Sequence, residues 1–184
     1  MEKSDDELSL GLGDTIVREV FAHFGRAIYM ANCLERSIAG ALLHVEWRAN
    51  LKAPMTRRSF QESGAAFFAT VESMPMGRLI GRLKAQRDLQ ADLRAALDEC
   101  NSARNVLVHH YFWSRAGEFA LDAGQRKMIN ECDDFCSLFE RADQSIMDYI
   151  RPYVERHGIS EGTLEAERAR IIQDAHINLE RDLE

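Results

Sequence analysis

The sequence predicts an all-α protein, built as an antiparallel, up-and-down bundle of four to five helices. Apolar residues recur at steps of three and four along most of the 184-residue chain, which is the period of amphipathic helices. The three prolines and eleven glycines are few for a turn-rich β-sandwich or barrel. With 46% hydrophobic and 29% charged residues, the chain can bury one core of ordinary size.

The N-terminal half of the bundle is predicted to contain one long helix and one interrupted segment. Apolar residues place the long helix over residues 14–49, with Asp14 as its N-cap. Residues 55–74 are predicted as a loop that carries a helical piece, because Gly64 and Pro75 interrupt the apolar pattern.

The C-terminal half shows longer apolar stripes. A break near Arg87 and Asp88 is inferred from length, since neither Gly nor Pro separates the flanking helices. Pro152 is expected to kink or end the helix in which it lies. The predicted segments are helices from 76 into the late 80s, over 88–113 and over 128–153, and a turn at 114–124 with a short extended piece at 118–121.

One domain with two flanking segments is expected. Residues 1–13 are predicted as a flexible acidic tail, residues 14–157 as the bundle, and residues 158–184 as an amphipathic helix packed on the bundle or on a partner. The sequence shows no secretory signal and no run of roughly 20 apolar residues, which predicts a cytoplasmic protein without a membrane segment.

The four cysteines predict reduced core residues and no metal site. Cys132 and Cys136 lie one helical turn apart, but no second pair at zinc-finger spacing occurs. We therefore expect neither a metal nor a cofactor.

Charge is distributed unevenly along the chain. The formal net charge of −7 argues against a protein that coats nucleic acid by bulk charge. Residues 48–94, however, carry nine basic and four acidic residues, a net charge of +5 that leaves −12 elsewhere. This segment is either a solvated helix face or a surface that attracts phosphate. Its candidate RNA-binding residues are Arg57, Arg58, Arg78, Arg82 and Arg87.

One polar group interrupts the apolar stripe of the helix at 88–113. Arg104 occupies a position on that stripe, and Asn105 and His109 follow it. Asn105 and His109 lie about 40° apart on the helical wheel, and Arg104 and His109 about 140° apart. An inward guanidinium needs a partner because an unpaired buried charge is costly, and Glu35 is the candidate.

The run from Ala103 to Phe112 resembles the signature of HEPN domains, which is an Arg, four to six residues, and then a His. Asn directly after the Arg is common in that family. The resemblance is specific over these ten residues and covers 14–155 as architecture. It implies a HEPN-like bundle, and many members are metal-independent endoribonucleases whose two motifs face each other across a homodimer.

The implied chemistry suits these side chains. Cleavage of RNA by its own 2′-hydroxyl needs a base, charge relief at phosphorus and a proton for the leaving 5′ oxygen. The resemblance assigns the base or acid to His109, phosphate binding to Arg104 and orientation to Asn105, with His110 in a supporting place. One imidazole cannot serve as acid and base at once, whereas a dimer supplies two.

A narrower pattern includes Tyr111. Arg104, His109 and Tyr111 are similar to an Arg-x4-His-x-Tyr form found in toxins paired with nucleotidyltransferase antitoxins, in which the partner adenylylates the Tyr. That resemblance implies an antitoxin partner and makes Tyr111 a modification candidate. A core aromatic is the favoured alternative for Tyr111.

Three functional hypotheses follow. The first is a metal-independent endoribonuclease, in a toxin or stress-response role, that contacts RNA transiently. The second is a non-catalytic HEPN-like module that binds a nucleotide or a protein partner. The third is a purely structural helical protein in which the motif is a coincidence.

Overall fold

The computed structural model describes residues 5–51 and 54–156, and the single residues 162, 169 and 173. All regular elements in these ranges are helical, which confirms the all-α class. The helix predicted within 158–184 lies outside the two continuous ranges. The helices are α1 (Asp5–Leu42), α2 (Arg57–Glu72), α3 (Met76–Lys84), α4 (Ala91–His109), α5 (Tyr111–Ser114), α6 (Ala116–Phe119) and α7 (Asp122–Arg156).

The N-terminal helices alternate in direction. Arg36 of α1 pairs with Glu72 at the end of α2, and the indole of Trp47, beyond α1, donates to Ser63. The later position in the first helical segment therefore contacts the earlier position in α2, which means that the two helices are antiparallel. A turn of π-helix at Leu43–Trp47 and a 3₁₀ turn at Arg48–Asn50 extend α1 to the point where α2 docks.

The long C-terminal helix α7 runs antiparallel to α4 and parallel to α1. Tyr111, just beyond α4, bonds to Met128, while Cys100, earlier in α4, approaches Leu138. His23 and Arg26 of α1 pair with Asp133 and Glu140, respectively, in ascending order along α7. The three long helices α1, α4 and α7, together with the shorter α3, thus enclose the core.

The core follows the predicted apolar stripes. The residues with the largest fully buried side chains are Leu34, Ile38, Leu42, Met76, Leu79, Leu83, Leu97, Leu107, Tyr111, Met128, Phe139 and Ile146. Within the described ranges, no helix is long and apolar enough to cross a membrane.

The first helix starts earlier, and the second is longer, than the sequence predicts. Helix α1 begins at Asp5, so Asp14 lies inside it and is not the N-cap. The helical piece predicted within 55–74 and the break before Pro75 are present, but the interruption predicted at Gly64 is wrong, since α2 is continuous for 16 residues. Gly64 does not break α2 because its missing side chain makes room for Trp47, whose ring lies 3.0 Å from where a Cβ would stand.

The break between α3 and α4 is confirmed, and Arg94, in the first turn of α4, explains it. The guanidinium of Arg94 donates to the backbone oxygens of Lys84, Gln86 and Leu89. These carbonyls lie at and beyond the end of α3, where helix carbonyls lose their intrahelical partners, and the Gln86 oxygen also accepts from the Leu89 N–H. Arg94 therefore organises a turn that contains neither Gly nor Pro.

Two further predictions concern α7 and the segment before it. The piece at 118–121 is not extended, because α6 is helical and the Gln125 side chain caps the Phe119 carbonyl at 2.8 Å. Pro152 lies inside α7 and does not end it. Pro152 is exposed, so water can reach the carbonyl of Asp148, which loses its helical partner.

Candidate functional site

The three motif residues lie in the second half of α4 but differ in exposure. Arg104 is half-buried, whereas Asn105 and His109 are exposed. The Arg104 Nε atom is enclosed and has no hydrogen-bond partner. Among the described residues, Arg104 also makes no ion pair, so its charge is not used to hold the fold.

Within one chain, only two of the three motif residues, Asn105 and His109, lie on the same side of α4. Asn105 and His109 are one turn apart on the solvent face of α4. Arg104 points toward the core side of the same helix, about 140° around its axis from His109. One chain therefore presents an amide and an imidazole together, with the guanidinium on another side.

Glu35 is not the partner of Arg104. No hydrogen bond or ion pair within the described part of the chain joins these two residues. Glu35 instead lines an open cavity of about 500 Å³ on the outer side of α1, together with Tyr29, Asn32, Cys33, Arg36 and Glu72. The predicted pair depended on how far α1 is displaced along α4, which the sequence does not specify.

His110 marks the end of α4. Its backbone leaves helical geometry at φ −132° and ψ −14°, and α5 begins at the next residue. The imidazole is exposed, and its ring centroid lies 6.0 Å from that of His109. Two neighbouring, exposed imidazoles thus lie at the carboxyl end of α4.

Tyr111 belongs to the core. Its side chain is 1% exposed and stacks on Phe24, with 5.5 Å between ring centroids. Its hydroxyl donates to the Met128 backbone oxygen at 2.9 Å and accepts from the Cys132 thiol at 3.2 Å. A partner enzyme could not reach this hydroxyl in the folded chain, so the structure does not support its modification.

The five basic candidates of 48–94 do not share one role. Arg82 pairs with Glu46 and lies over the Phe67 ring. Arg58 pairs with Glu62 on its own helix. The remaining three, which are exposed and form no ion pair within the described residues, are Arg57, Arg78 and Arg87. Part of the +5 is therefore neutralised inside the fold.

Sequence reasoning missed an aromatic surface next to the motif. Trp113 is 88% exposed, and Phe21 is 52% exposed. Phe112 packs against Phe21, with 5.3 Å between ring centroids, and against Phe119 at 5.7 Å. The run Tyr111-Phe112-Trp113, which directly follows the two histidines, was the available signal.

The described residues contain no group of three or more His, Cys, Asp or Glu side chains that could hold a metal ion. No protein-family model, no curated protein and no solved structure matches this chain.

Proposed function

We propose that this chain is a metal-independent endoribonuclease of HEPN type, in a toxin or stress-response role, that cleaves RNA by transesterification. The supporting observation is that Asn105 and His109 stand exposed one turn apart on α4, and that Arg104 of the same helix makes no ion pair among the described residues. Other partly buried arginines have partners instead: Arg82 and Arg115 pair with carboxylates, and Arg94 donates to backbone oxygens.

The proposed reaction uses each motif residue at a stated bond. His109 removes the proton from a 2′-hydroxyl, whose oxygen then bonds to the adjacent phosphorus. The bond from phosphorus to the 5′ oxygen breaks, and a second imidazole protonates that leaving oxygen. Arg104 neutralises the non-bridging oxygens by charge-assisted hydrogen bonds, and Asn105 orients the imidazole or the phosphate.

A homodimer is part of this proposal. A second copy would supply the second imidazole, and it would also place one chain's Arg104 near the other chain's His109. The test mixes wild-type chains with His109→Ala chains in varying ratio. A shared site that needs both imidazoles predicts that activity falls with the square of the wild-type fraction, whereas independent sites predict a fall in direct proportion to it.

The direct test is RNA cleavage in excess chelator. His109→Ala is expected to lower the cleavage rate by about 100-fold or more, as for loss of a general acid or base. Asn130→Ala is the matched control, because Asn130 is an exposed polar residue on α7 outside the motif. Equal cleavage by the wild-type and His109→Ala proteins, or none by either, would contradict the nuclease.

A second function has its own supporting observation. Arg104 and His109 leave α4 on different sides, which suits a non-catalytic module that binds a nucleotide or a protein partner. Such a module predicts binding that survives His109→Ala and no cleavage under any condition. A calorimetric titration with nucleotides, run beside the cleavage assay, separates the two functions.

A further inference from the structure

Trp113 is the most exposed large apolar side chain of the described residues. Its side chain is 88% exposed and makes no hydrogen bond or ring contact within the described part of the chain. Trp47, the other tryptophan of the chain, differs in both respects. It packs against Phe60, with 4.8 Å between ring centroids, and donates to Ser63 at 3.0 Å. Trp113 therefore contributes no packing that would explain an aromatic residue there.

The position of Trp113 is fixed by its neighbours. Tyr111 is anchored in the core by its hydroxyl, and Phe112 lies 4.9 Å from Phe24 and 5.7 Å from Phe119 between ring centroids. Successive helical residues point about 100° apart, so a short helix that directs 111 and 112 inward must direct 113 outward. The indole is thus presented to solvent by an anchored turn.

The charge near Trp113 comes from the stretch of chain that carries it. Trp113 is four positions after His109, a span of at most about 14 Å for an extended chain and less across helical turns. Residues 100–117 include Arg104, His109, His110 and Arg115 but no acidic residue. Arg115 is paired with Glu131 and lies in the field of Glu118, so among the described residues Arg104 is the arginine of this stretch that is left to meet a phosphodiester.

We propose that Trp113 is a stacking platform for an unpaired nucleobase of single-stranded RNA whose phosphodiester lies at Arg104 and His109. This inference rests on the proposed function and adds a substrate class to it. An exposed indole offers a flat π-face to any base that is not already stacked in a duplex. The platform therefore selects unpaired RNA with little preference among bases.

The test uses the full chain carrying His109→Ala, so that the proposed cleavage does not consume the probe. Oligoriboadenylate is titrated while tryptophan emission is recorded, and binding is measured independently by anisotropy of a labelled probe. We expect the RNA to quench Trp113 emission, and Trp113→Ala to weaken binding by about 5- to 100-fold. Trp113→Phe is expected to retain most of the affinity, because it keeps a ring.

Three controls decide the outcome. Inorganic polyphosphate carries charge without bases, and a duplex of the same length hides its bases, so both should bind more weakly and leave Trp113 emission unchanged. Equal RNA affinity of the Trp113→Ala and parent proteins would overturn the platform, as would equal quenching by polyphosphate. Emission that changes with protein concentration alone would show that a second copy covers Trp113, which also overturns it.

The two proposals can fail separately. RNA binding that depends on Trp113, without cleavage by the wild-type chain, would remove the nuclease and keep the platform. Cleavage that depends on His109, with an unchanged KM for Trp113→Ala, would do the reverse.

Discussion

The Tyr111 hydroxyl joins the end of α4 to α7 by donating a 2.9 Å hydrogen bond to the Met128 backbone oxygen. The same oxygen atom of Tyr111 accepts a hydrogen bond from the Cys132 thiol, one turn further along α7. Burial, and then the bond from Cys132, raises the pKa of Tyr111, so the phenol stays neutral. This contact fixes the short helix that presents Trp113 beside the motif.

Tyr111→Phe is expected to lower the free energy of unfolding by about 1–2 kcal/mol. The substitution keeps the ring but removes the donor to Met128 and the acceptor for Cys132. Urea denaturation measures the change. Tyr29→Phe is the matched control, because Tyr29 is 65% exposed and its loss of a hydroxyl should change the unfolding free energy by less than about 0.5 kcal/mol. Equal effects of the two substitutions would contradict a structural role for the Tyr111 hydroxyl.

Two glycine-to-alanine substitutions are expected to change the free energy of unfolding in opposite directions. Alanine is favoured over glycine inside a helix by about 0.5–1 kcal/mol. Gly25 of α1 has open space around it, so Gly25→Ala should raise the unfolding free energy by about that amount. At Gly64 a Cβ would lie 3.0 Å from the Trp47 ring, which the bond to Ser63 holds in place.

Gly64→Ala is therefore expected to lower the unfolding free energy despite the helix preference. Thermal and urea denaturation of both variants give the signs. Stabilisation of both variants by the same amount would show that Trp47 moves aside freely.

The buried residues of the core could be predicted from the sequence, whereas the points at which helices break or continue could not. Buried residues such as Leu34, Leu97 and Phe139 fall on the apolar stripes, because helical period alone places them. The continuity of α2 through Gly64 depends on Trp47, which is 17 residues away in sequence. Such breaks and continuities are decided by tertiary contacts that a local pattern does not contain.

The sequence was enough to predict the residue types of the candidate site and the angle between Arg104 and His109 around the helix axis. The spacing of Arg104 and His109 already places them on different sides of a helix, and α4 is helical over both. To predict whether Arg104 pairs with Glu35, one must know how α1 is positioned along α4, which the sequence does not specify. The exposure of Trp113 did not require the break at His110, since residue 113 lies about 160° from the buried Tyr111 on a continuous helix as well.

The Asp88 carboxylate should make stability sensitive to acid. Hydrogen bonds from the hydroxyls of Tyr153 and Tyr149 lower the pKa of Asp88 below its ordinary value of 3.8, despite an opposing effect of burial. A carboxylate with a lowered pKa in the folded state stabilises the fold above its unfolded-state pKa. That contribution is lost as pH falls through the folded-state pKa.

We therefore expect the difference in unfolding free energy between the wild-type and Asp88→Asn proteins to shrink as pH falls from about 6 to about 3. Urea denaturation at several pH values measures this difference. Asp134→Asn is the control, because Asp134 is an exposed residue of α7 with no hydrogen bond or ion pair among the described residues. A gap between Asp88→Asn and wild type that stays constant over this range would contradict the assignment.

The four thiols should differ in reactivity in the native state. Burial raises the pKa of Cys100 to about 12 and that of Cys132 to about 11, and it also raises the pKa of Cys136. Thiolates are the reactive form, so these three residues are protected both by access and by charge. Cys33 is half-buried and lines the open cavity on α1.

Iodoacetamide at mildly alkaline pH is therefore expected to alkylate Cys33 first in the folded chain, and the other three only after denaturation. Peptide mass spectrometry gives the site and rate of labelling, and Cys33→Ser should remove the native label. Equally fast labelling of Cys132 would mean that α7 separates from Tyr111 on the time scale of the reaction. In that case the turn that presents Trp113 would not be anchored, and the stacking platform would lose its physical basis.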